Sequence, residues 1–72
     1  MDHPVPGIYR HYKGNLYEVL GVACHSETGD RLVTYRALYD GFGLWVRPLG
    51  MFGESVLYDG MPQPRFALVK AF

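Results

Sequence analysis

Cysteine is almost absent from this chain of 72 residues, because Cys24 is the single one. A disulfide within the chain is therefore excluded, and a lone thiol suits a reducing compartment. The three histidines, His3, His11 and His25, are scattered and match no zinc-ligand spacing with Cys24. The sequence therefore predicts neither a metal site nor a cofactor.

Long apolar runs and an excess of charge are also missing. No stretch reaches the length of a membrane-spanning helix, and the opening residues "MDHPVPG" lack the basic start and apolar run of a signal peptide. Seven basic residues balance seven acidic ones, whereas nonspecific nucleic-acid binders usually carry a positive excess. These absences predict a soluble cytoplasmic protein with no membrane partner, and they count against nucleic-acid binding without removing it.

Helical periodicity is the third absence, and short strands with turn signals take its place. The strands are predicted over residues 8–13, 16–25, 31–39, 44–47, 54–58 and 65–69. Six tyrosines, four phenylalanines and one tryptophan supply large apolar areas to so short a chain. We therefore predict an all-β fold: a small, SH3-like, partly open barrel of five to six short antiparallel strands.

The domain boundaries follow from the prolines. Pro4 and Pro6 predict a loose, extended N-terminal arm over residues 1–7, and residues 8–72 then form a single barrel domain. Residues 48–52 suit one 3₁₀ turn, with Leu49, Met51 and Phe52 as plugs of the core. Residues 59–64 are predicted to be a loop rich in glycine and proline.

Turn chemistry predicts the strand registers. Gly14-Asn15 fits a two-residue hairpin turn, but a three-residue loop over 13–15 would instead pair Arg10 with Glu18, and the sequence leaves both open. In the second hairpin, a loop over residues 27–29 would place Tyr17 opposite Tyr39 and Tyr35 over the bare Gly21.

A two-residue turn at Asp40-Gly41 would place Arg36 across from Trp45, where the guanidinium could stack on the indole. The alternative is a longer loop that includes Phe42-Gly43. For Tyr17, Tyr35, Tyr39 and Trp45, packing in the core or at its edge is favoured over ligand contact.

The pieces "YRHYKGNLYEVLGVACHSETGD", "VTYRALY", "LWVRPLGMF" and "PRFALV" resemble, in order and spacing, the bacterial domain of unknown function 1653 family from about residue 7 to residue 69. The matching positions are His11, Lys13, Gly14, Tyr17, His25, Glu27, Thr28, Tyr35, Arg36, Tyr39, Trp45, Arg47, Pro48, Met51 and Phe52. The resemblance implies an SH3-like barrel and no particular activity. Cys24 stands where the family pattern suggests a polar or basic residue, which speaks against a shared catalytic thiol.

Catalytic constellations are not visible. Cys24 and His25 are neighbours on a strand and point to opposite faces, so they form no nucleophile–base pair. The carboxylates lie mostly in turns, where turn chemistry explains them. The prediction is therefore a protein that is not an enzyme. A concave pocket that joins His11 or His25 to a carboxylate would revive an enzyme hypothesis.

Cations interleaved with aromatic residues are the remaining functional signal. The candidate ligand-binding residues are Arg10, Tyr12, Lys13, Arg36, Trp45 and Arg47. The first hypothesis is a non-enzymatic module that recognises a peptide, a protein or a small ligand by stacking and by bidentate arginine hydrogen bonds. The alternative is single-stranded RNA binding, which requires the four cations to share one face. Exposed strand edges would also allow a homo-oligomer.

Overall fold

The computed structural model describes residues 4–72, and the statements below concern those residues. Seven strands and one helical turn follow one another along the chain. They are β1 (Gly7–His11), β2 (Leu16–Cys24), β3 (Arg31–Ala37), β4 (Leu44–Pro48), α1 (Leu49–Phe52), β5 (Ser55–Tyr58), β6 (Met61–Pro64) and β7 (Phe66–Ala71).

Five strands form one antiparallel sheet in the order β4-β3-β2-β1-β7, and β5 pairs with β6 in a separate two-stranded sheet. The predicted all-β architecture is confirmed. The large sheet is open, with β4 and β7 at its two edges. The strand count is seven rather than five or six, because residues 61–64 form β6 instead of the predicted loop. Pairing of a second copy at either edge stays a prediction.

Residues 1–3 of the N-terminal arm predicted over residues 1–7 lie outside the described residues, and His3 is one of them. From Pro4 onward, the chain is tied to the sheet at two points. The Phe72 amide donates to the Pro6 carbonyl at 3.0 Å, and the Tyr9 hydroxyl donates to the Val5 carbonyl at 2.8 Å. Gly7 is buried as the first residue of β1.

The first hairpin adopts neither of the two predicted registers. Tyr9 lies opposite Tyr17 and Arg10 opposite Leu16, and the His11 amide donates to the Asn15 carbonyl. The loop is therefore residues 12–14, closed by a bond from the Gly14 amide to the His11 carbonyl, with Gly14 at φ +108°. A positive φ at the last loop position is where glycine is favoured, and it selects this loop over the others.

The second hairpin also differs from prediction by one residue. The His25 amide donates to the Asp30 carbonyl, so the loop is residues 26–29. The His25 ring explains the longer loop, because its Nδ1 accepts the amide protons of Glu27 and Thr28 at 3.1 and 3.3 Å. The register then shifts at a bulge in β2, between Val19 and Gly21.

The third connection is the longer of the two predicted alternatives. The Ala37 amide donates to the Gly43 carbonyl, so the loop spans residues 38–42, and Asp40, Gly41 and Phe42 all have positive φ. Trp45 consequently lies opposite Tyr35. The predicted placement of Arg36 across from Trp45 is wrong, and Arg36 donates instead to the Phe42 carbonyl at 3.1 Å.

The core lies against one face of the large sheet. Its buried members are Tyr9, Val19, Val33, Tyr35, Ala37, Phe52 and Phe66. Phe52, at the end of α1, stacks on Phe66 of β7 with ring centroids 4.2 Å apart. Two packing predictions are wrong: Trp45 is 58% exposed and Met51 is 45% exposed. Leu49 does pack against the core, as predicted.

The helical turn α1 is a single α-helical turn rather than a 3₁₀ turn. Its C-terminal residue is followed by Gly53, whose amide donates to the Leu49 carbonyl at 3.3 Å. Across residues 4–72, no helix is long and apolar enough to cross a membrane.

Candidate functional site

Two edge residues of the sheet share the core-side face with the tyrosines. Tyr35 lies opposite both Val19 and Trp45, and Val33 lies opposite Arg47. Residues directly opposite each other in antiparallel strands project to the same face, and alternate residues along a strand do so too. Trp45 and Arg47 therefore project from the face of the sheet that carries the core. They lie at the β4 edge, where that face is open to solvent.

An open pocket of about 200 Å³ occupies this position. We call it the Tyr–Arg pocket, and it is lined by Tyr17, Tyr35, Tyr39, Trp45 and Arg47. Each lining residue contributes an aromatic ring, a hydroxyl group or a cation. Such a mixture of apolar area and a few convergent polar groups is typical of ligand sites.

The hydroxyls of Tyr17 and Tyr39 are hydrogen-bonded to each other. The ring of Tyr17 also packs edge-on against Tyr35, with centroids 5.4 Å apart. Burial, the Tyr39 hydrogen bond and the neighbouring tyrosines raise the pKa of Tyr17 to about 12, and Arg47 opposes this shift. The Tyr17 phenol is therefore neutral at physiological pH, and the two hydroxyls remain available as hydrogen-bond donors or acceptors.

Arg47 is the charged member of the pocket. Its side chain is half-buried, and its guanidinium carbon lies 5.9 Å from the centroid of the Phe66 ring. Its Nε is buried with no hydrogen-bond partner within the described chain. An ion pair joins Arg65 to Glu54, whereas no carboxylate of residues 4–72 lies within 4.0 Å of Arg47. The pocket thus holds a cation whose charge is not neutralised by a neighbour.

His11 adjoins this group at the end of β1. Its ring is 5.0 Å from that of Phe66 and 6.3 Å from that of Tyr17, centroid to centroid. Its Nδ1 accepts the Lys13 amide proton at 3.2 Å. Burial and the positive charges of Lys13, Arg47 and Arg65 lower the pKa of His11. His11 is therefore a mostly neutral ring that packs between the first hairpin and the pocket.

The structure divides the six predicted ligand-binding residues among three places. Trp45 and Arg47 line the Tyr–Arg pocket. Arg10 and Arg36 lie on the opposite face of the sheet, because their strand neighbours Tyr9 and Tyr35 face the core.

Tyr12 and Lys13 form the first hairpin turn. There the Tyr12 ring packs against Tyr58 at 5.7 Å, and the Lys13 ammonium lies 5.8 Å from the Tyr12 centroid.

Three pocket residues were expected in the core or at its edge and not in a site. Tyr35 is indeed buried, but Tyr17 and Tyr39 are only half-buried and turn their hydroxyls toward the pocket. The predicted register, which placed Tyr17 opposite Tyr39, did indicate that these two residues lie close together. The two residues are not directly opposite, since Tyr17 pairs with Ala37, yet Tyr39 follows two residues later and reaches Tyr17 diagonally.

The histidines do not meet the condition set for an enzyme. The Nδ1 atoms of His11 and His25 both accept backbone amide protons in turns, and neither ring is hydrogen-bonded to a carboxylate anywhere in residues 4–72. No group of three or more His, Cys, Asp or Glu residues that could hold a metal ion occurs in that part of the chain.

A second depression lies at the bulge in β2. It measures about 240 Å³ and is lined by Leu20, Gly21, Val22, Ala23 and Thr34. Thr34 is its only lining residue with a polar side chain, and none of the five carries a charge. We regard the Tyr–Arg pocket as the better candidate site, because recognition requires polar groups that fix the orientation of a ligand.

Comparison with known proteins gives one consistent result. A family model described as "Protein of unknown function (DUF1653)" matches residues 7–68. A crystal structure of a DUF1653 protein from Bordetella bronchiseptica is similar, with 43% sequence identity and a TM-score of 0.85. That similarity covers 93% of this chain and 88% of the other. No curated protein matches significantly. The chain therefore belongs to the DUF1653 family of proteins of unknown function.

Proposed function

We propose that this protein is a non-enzymatic binding module and that the Tyr–Arg pocket is its recognition site. The observation that carries the proposal is the convergence of two phenolic hydroxyls, one unneutralised guanidinium and one exposed indole on a single open pocket. These groups supply stacking area and hydrogen bonds, and they include no nucleophile paired with a base.

Trp45 provides the contact surface. Its side chain is 58% exposed on the edge strand β4. An exposed tryptophan offers a large apolar area to a partner, and tryptophan is among the residues that contribute most to interfaces. Arg47 lies two residues further along the same strand and can present its planar fork to a carboxylate or a similar group.

The size of the pocket restricts the ligand. At about 200 Å³, it is smaller than the roughly 300–1,000 Å³ of sites that enclose a whole drug-sized molecule. It suits one ring, one side chain or one chain terminus. A peptide or protein that inserts such a group, or a small ligand of that size, therefore fits the proposal. The single free thiol, Cys24, supports a cytoplasmic location.

The RNA alternative has less support. It required Arg10, Lys13, Arg36 and Arg47 to share a face, but the sheet separates Arg10 and Arg36 from Arg47. A strip of cations along one backbone-binding surface is what single-stranded binders use. The proposal therefore rests on the pocket, and RNA becomes an outcome that the experiment must detect.

The test is a capture of partners from a lysate on the immobilised protein, with and without nuclease. The wild-type protein is compared with Trp45→Ala and with Leu57→Ala, a matched control that removes a 75% exposed apolar side chain of β5. We expect the captured species to be insensitive to nuclease, lost with Trp45→Ala and retained with Leu57→Ala. Capture that is nuclease-sensitive, or that Trp45→Ala leaves unchanged, would contradict the proposal.

A further inference from the structure

We propose that the group recognised in the Tyr–Arg pocket is a carboxylate attached to a small flat ring, with Arg47 as the anchor of the carboxylate. This inference rests on the proposed binding function and specifies the chemistry of its ligand. Three features of the pocket carry it: the state of Arg47, the charge of its surroundings, and the shape of its walls.

The state of Arg47 is the first feature. An arginine at the edge of a core is ordinarily paired, because removing a cation from water costs free energy. Arg47 is half-buried, its Nε has no partner in residues 4–72, and no carboxylate there lies within 4.0 Å. The contact with Phe66 at 5.9 Å satisfies one face of the guanidinium but none of its N–H donors. A bound anion would accept hydrogen bonds from the terminal N–H groups, since the buried Nε is closed to a ligand.

The charge of the surroundings is the second feature. The neighbours that act electrostatically on His11 are Lys13, Arg47 and Arg65, all of them cations. Of these, Arg65 has its charge balanced by Glu54 at 3.3 Å. The region between β1 and β4 therefore has a local positive potential, although the whole chain has a formal net charge of zero. An anion gains from this potential, and a cation does not.

The walls indicate which anion. Phosphate sites generally add a helix N-terminus or a nest of backbone amides to their cations, and the lining of this pocket consists of one guanidinium with neutral phenols and an indole. One arginine matches the single charge and the two oxygens of a carboxylate. The exposed ring of Trp45, opposite the buried Tyr35, provides flat apolar area for an attached ring.

The experiment titrates four probes into the full chain and follows the backbone amides and the Trp45 indole N–H by NMR. Benzoate carries both features, benzamide is its neutral analogue, acetate lacks the ring, and phenyl phosphate replaces the carboxylate. We expect benzoate to shift the pocket signals and to bind about tenfold or more tightly than benzamide or acetate. Benzamide cannot form the charge-assisted bidentate pair with Arg47, and acetate lacks the ring. Phenyl phosphate is expected to bind more weakly than benzoate.

Variants assign the effect to Arg47. Arg47→Gln should abolish the preference for benzoate over benzamide, and Arg47→Lys should retain part of it, since a lysine keeps the charge without the planar fork. Arg36→Gln is the matched control, because Arg36 lies on the opposite face of the sheet. Dispersed amide spectra show that each variant is folded. Bound benzoate should also raise the pKa of His11 toward its ordinary value, as the anion offsets the nearby cations.

The outcomes separate the two proposals. If benzamide binds the pocket as tightly as benzoate, or if Arg36→Gln has the effect expected of Arg47→Gln, the carboxylate inference is overturned while pocket binding stands. If phenyl phosphate binds best, the anion is a phosphate and the inference is likewise overturned. If no probe shifts the pocket signals, the inference fails, and the lysate capture with Trp45→Ala decides separately whether the pocket binds a partner at all.

Discussion

The two faces of the five-stranded sheet have opposite characters, although they are built from alternate residues of the same strands. The inner face carries Tyr9, Val19, Val33 and Tyr35, all buried. The outer face carries Arg10, Glu18 and Arg36, and there Glu18 lies opposite Arg36. The buried packing is therefore on the inner face, and the outer face mixes these charged side chains with apolar ones such as Leu16 and Leu44.

The inner face changes its character along the sheet, from β1 to β4. At the β1 side, Tyr9 packs edge-on against Phe52, with centroids 5.7 Å apart. At the β4 side, no element of residues 4–72 covers Trp45, which is 58% exposed. The same set of aromatic residues is thus a core at one end and an open surface at the other. In so small a domain, one short helical turn can cover only part of the apolar face of the sheet.

The largest effect is expected from Phe66→Ala, which removes the ring stacked on Phe52. Phe66 is 7% exposed and contacts Tyr17, Tyr35 and Phe52. The loss should be about 3–5 kcal/mol of unfolding free energy, a large fraction of the total for a domain of this size. Urea denaturation followed by circular dichroism measures it. Leu44→Ala, at a 58% exposed position of β4, should change stability by less than about 0.5 kcal/mol. Similar losses in the two variants would refute the assignment of the core to the inner face.

The next effect is expected at the close approach of β1 to β7. A Cβ atom at Gly7 would lie 2.3 Å from the Lys70 carbonyl oxygen, which is backbone and cannot move away as a side chain can. Gly7→Ala should therefore cost about 1–3 kcal/mol, as overpacking does. Gly50→Ala is the control, because a Cβ there meets nothing within 4 Å. Thermal unfolding of both variants checks the difference, and an unchanged melting temperature for Gly7→Ala would show that β1 and β7 are further apart.

The smallest effect is the change of the unfolding free energy with pH, which we expect from the pocket residue Tyr17. The pKa of Tyr17 is about 12 in the folded chain against 10.0 for a free tyrosine. The unfolded chain therefore loses its proton first, and the stabilisation present below pH 10 is lost as the pH rises toward 12. One such group changes the unfolding free energy by at most about 1.4 kcal/mol per pH unit.

Urea denaturation at a series of alkaline pH values tests this. Tyr17→Phe should flatten the decline, and Tyr58→Phe, which alters a 45% exposed residue of β5, should leave it as in the wild type. If both variants flatten the decline of stability equally, the Tyr17–Tyr39 pair does not cause that decline.

Local sequence signals predicted the elements better than their registers. Gly14, Gly29 and Gly41 marked the three turns correctly, and each has a positive φ in the structure. The strand β6 was missed because Pro62 and Pro64 argued against a strand, yet both lie in a two-stranded sheet where one edge of β6 is unpaired. Proline is tolerated there because a strand edge does not require every amide.

The registers were missed because they depend on contacts that periodicity does not encode. The His25 ring lengthens the second loop by accepting two amides, and the bulge between Val19 and Gly21 shifts the pairing of β2 with β3. A shift of one residue changes which side chains share a face. That is why the sequence favoured packing for Tyr17, Tyr35, Tyr39 and Trp45 and did not predict that they share a pocket with Arg47.

The amino-acid order alone determined that this chain is all-β and where it turns, because alternation and glycine turns are local properties of the backbone. It also indicated that aromatic residues supply much of the core. Only the tertiary structure decided which of those aromatic residues stay open and which cation joins them. The physical reason is that the Tyr–Arg pocket combines side chains of β2, β3 and β4 with the loop after β3, and their juxtaposition depends on register.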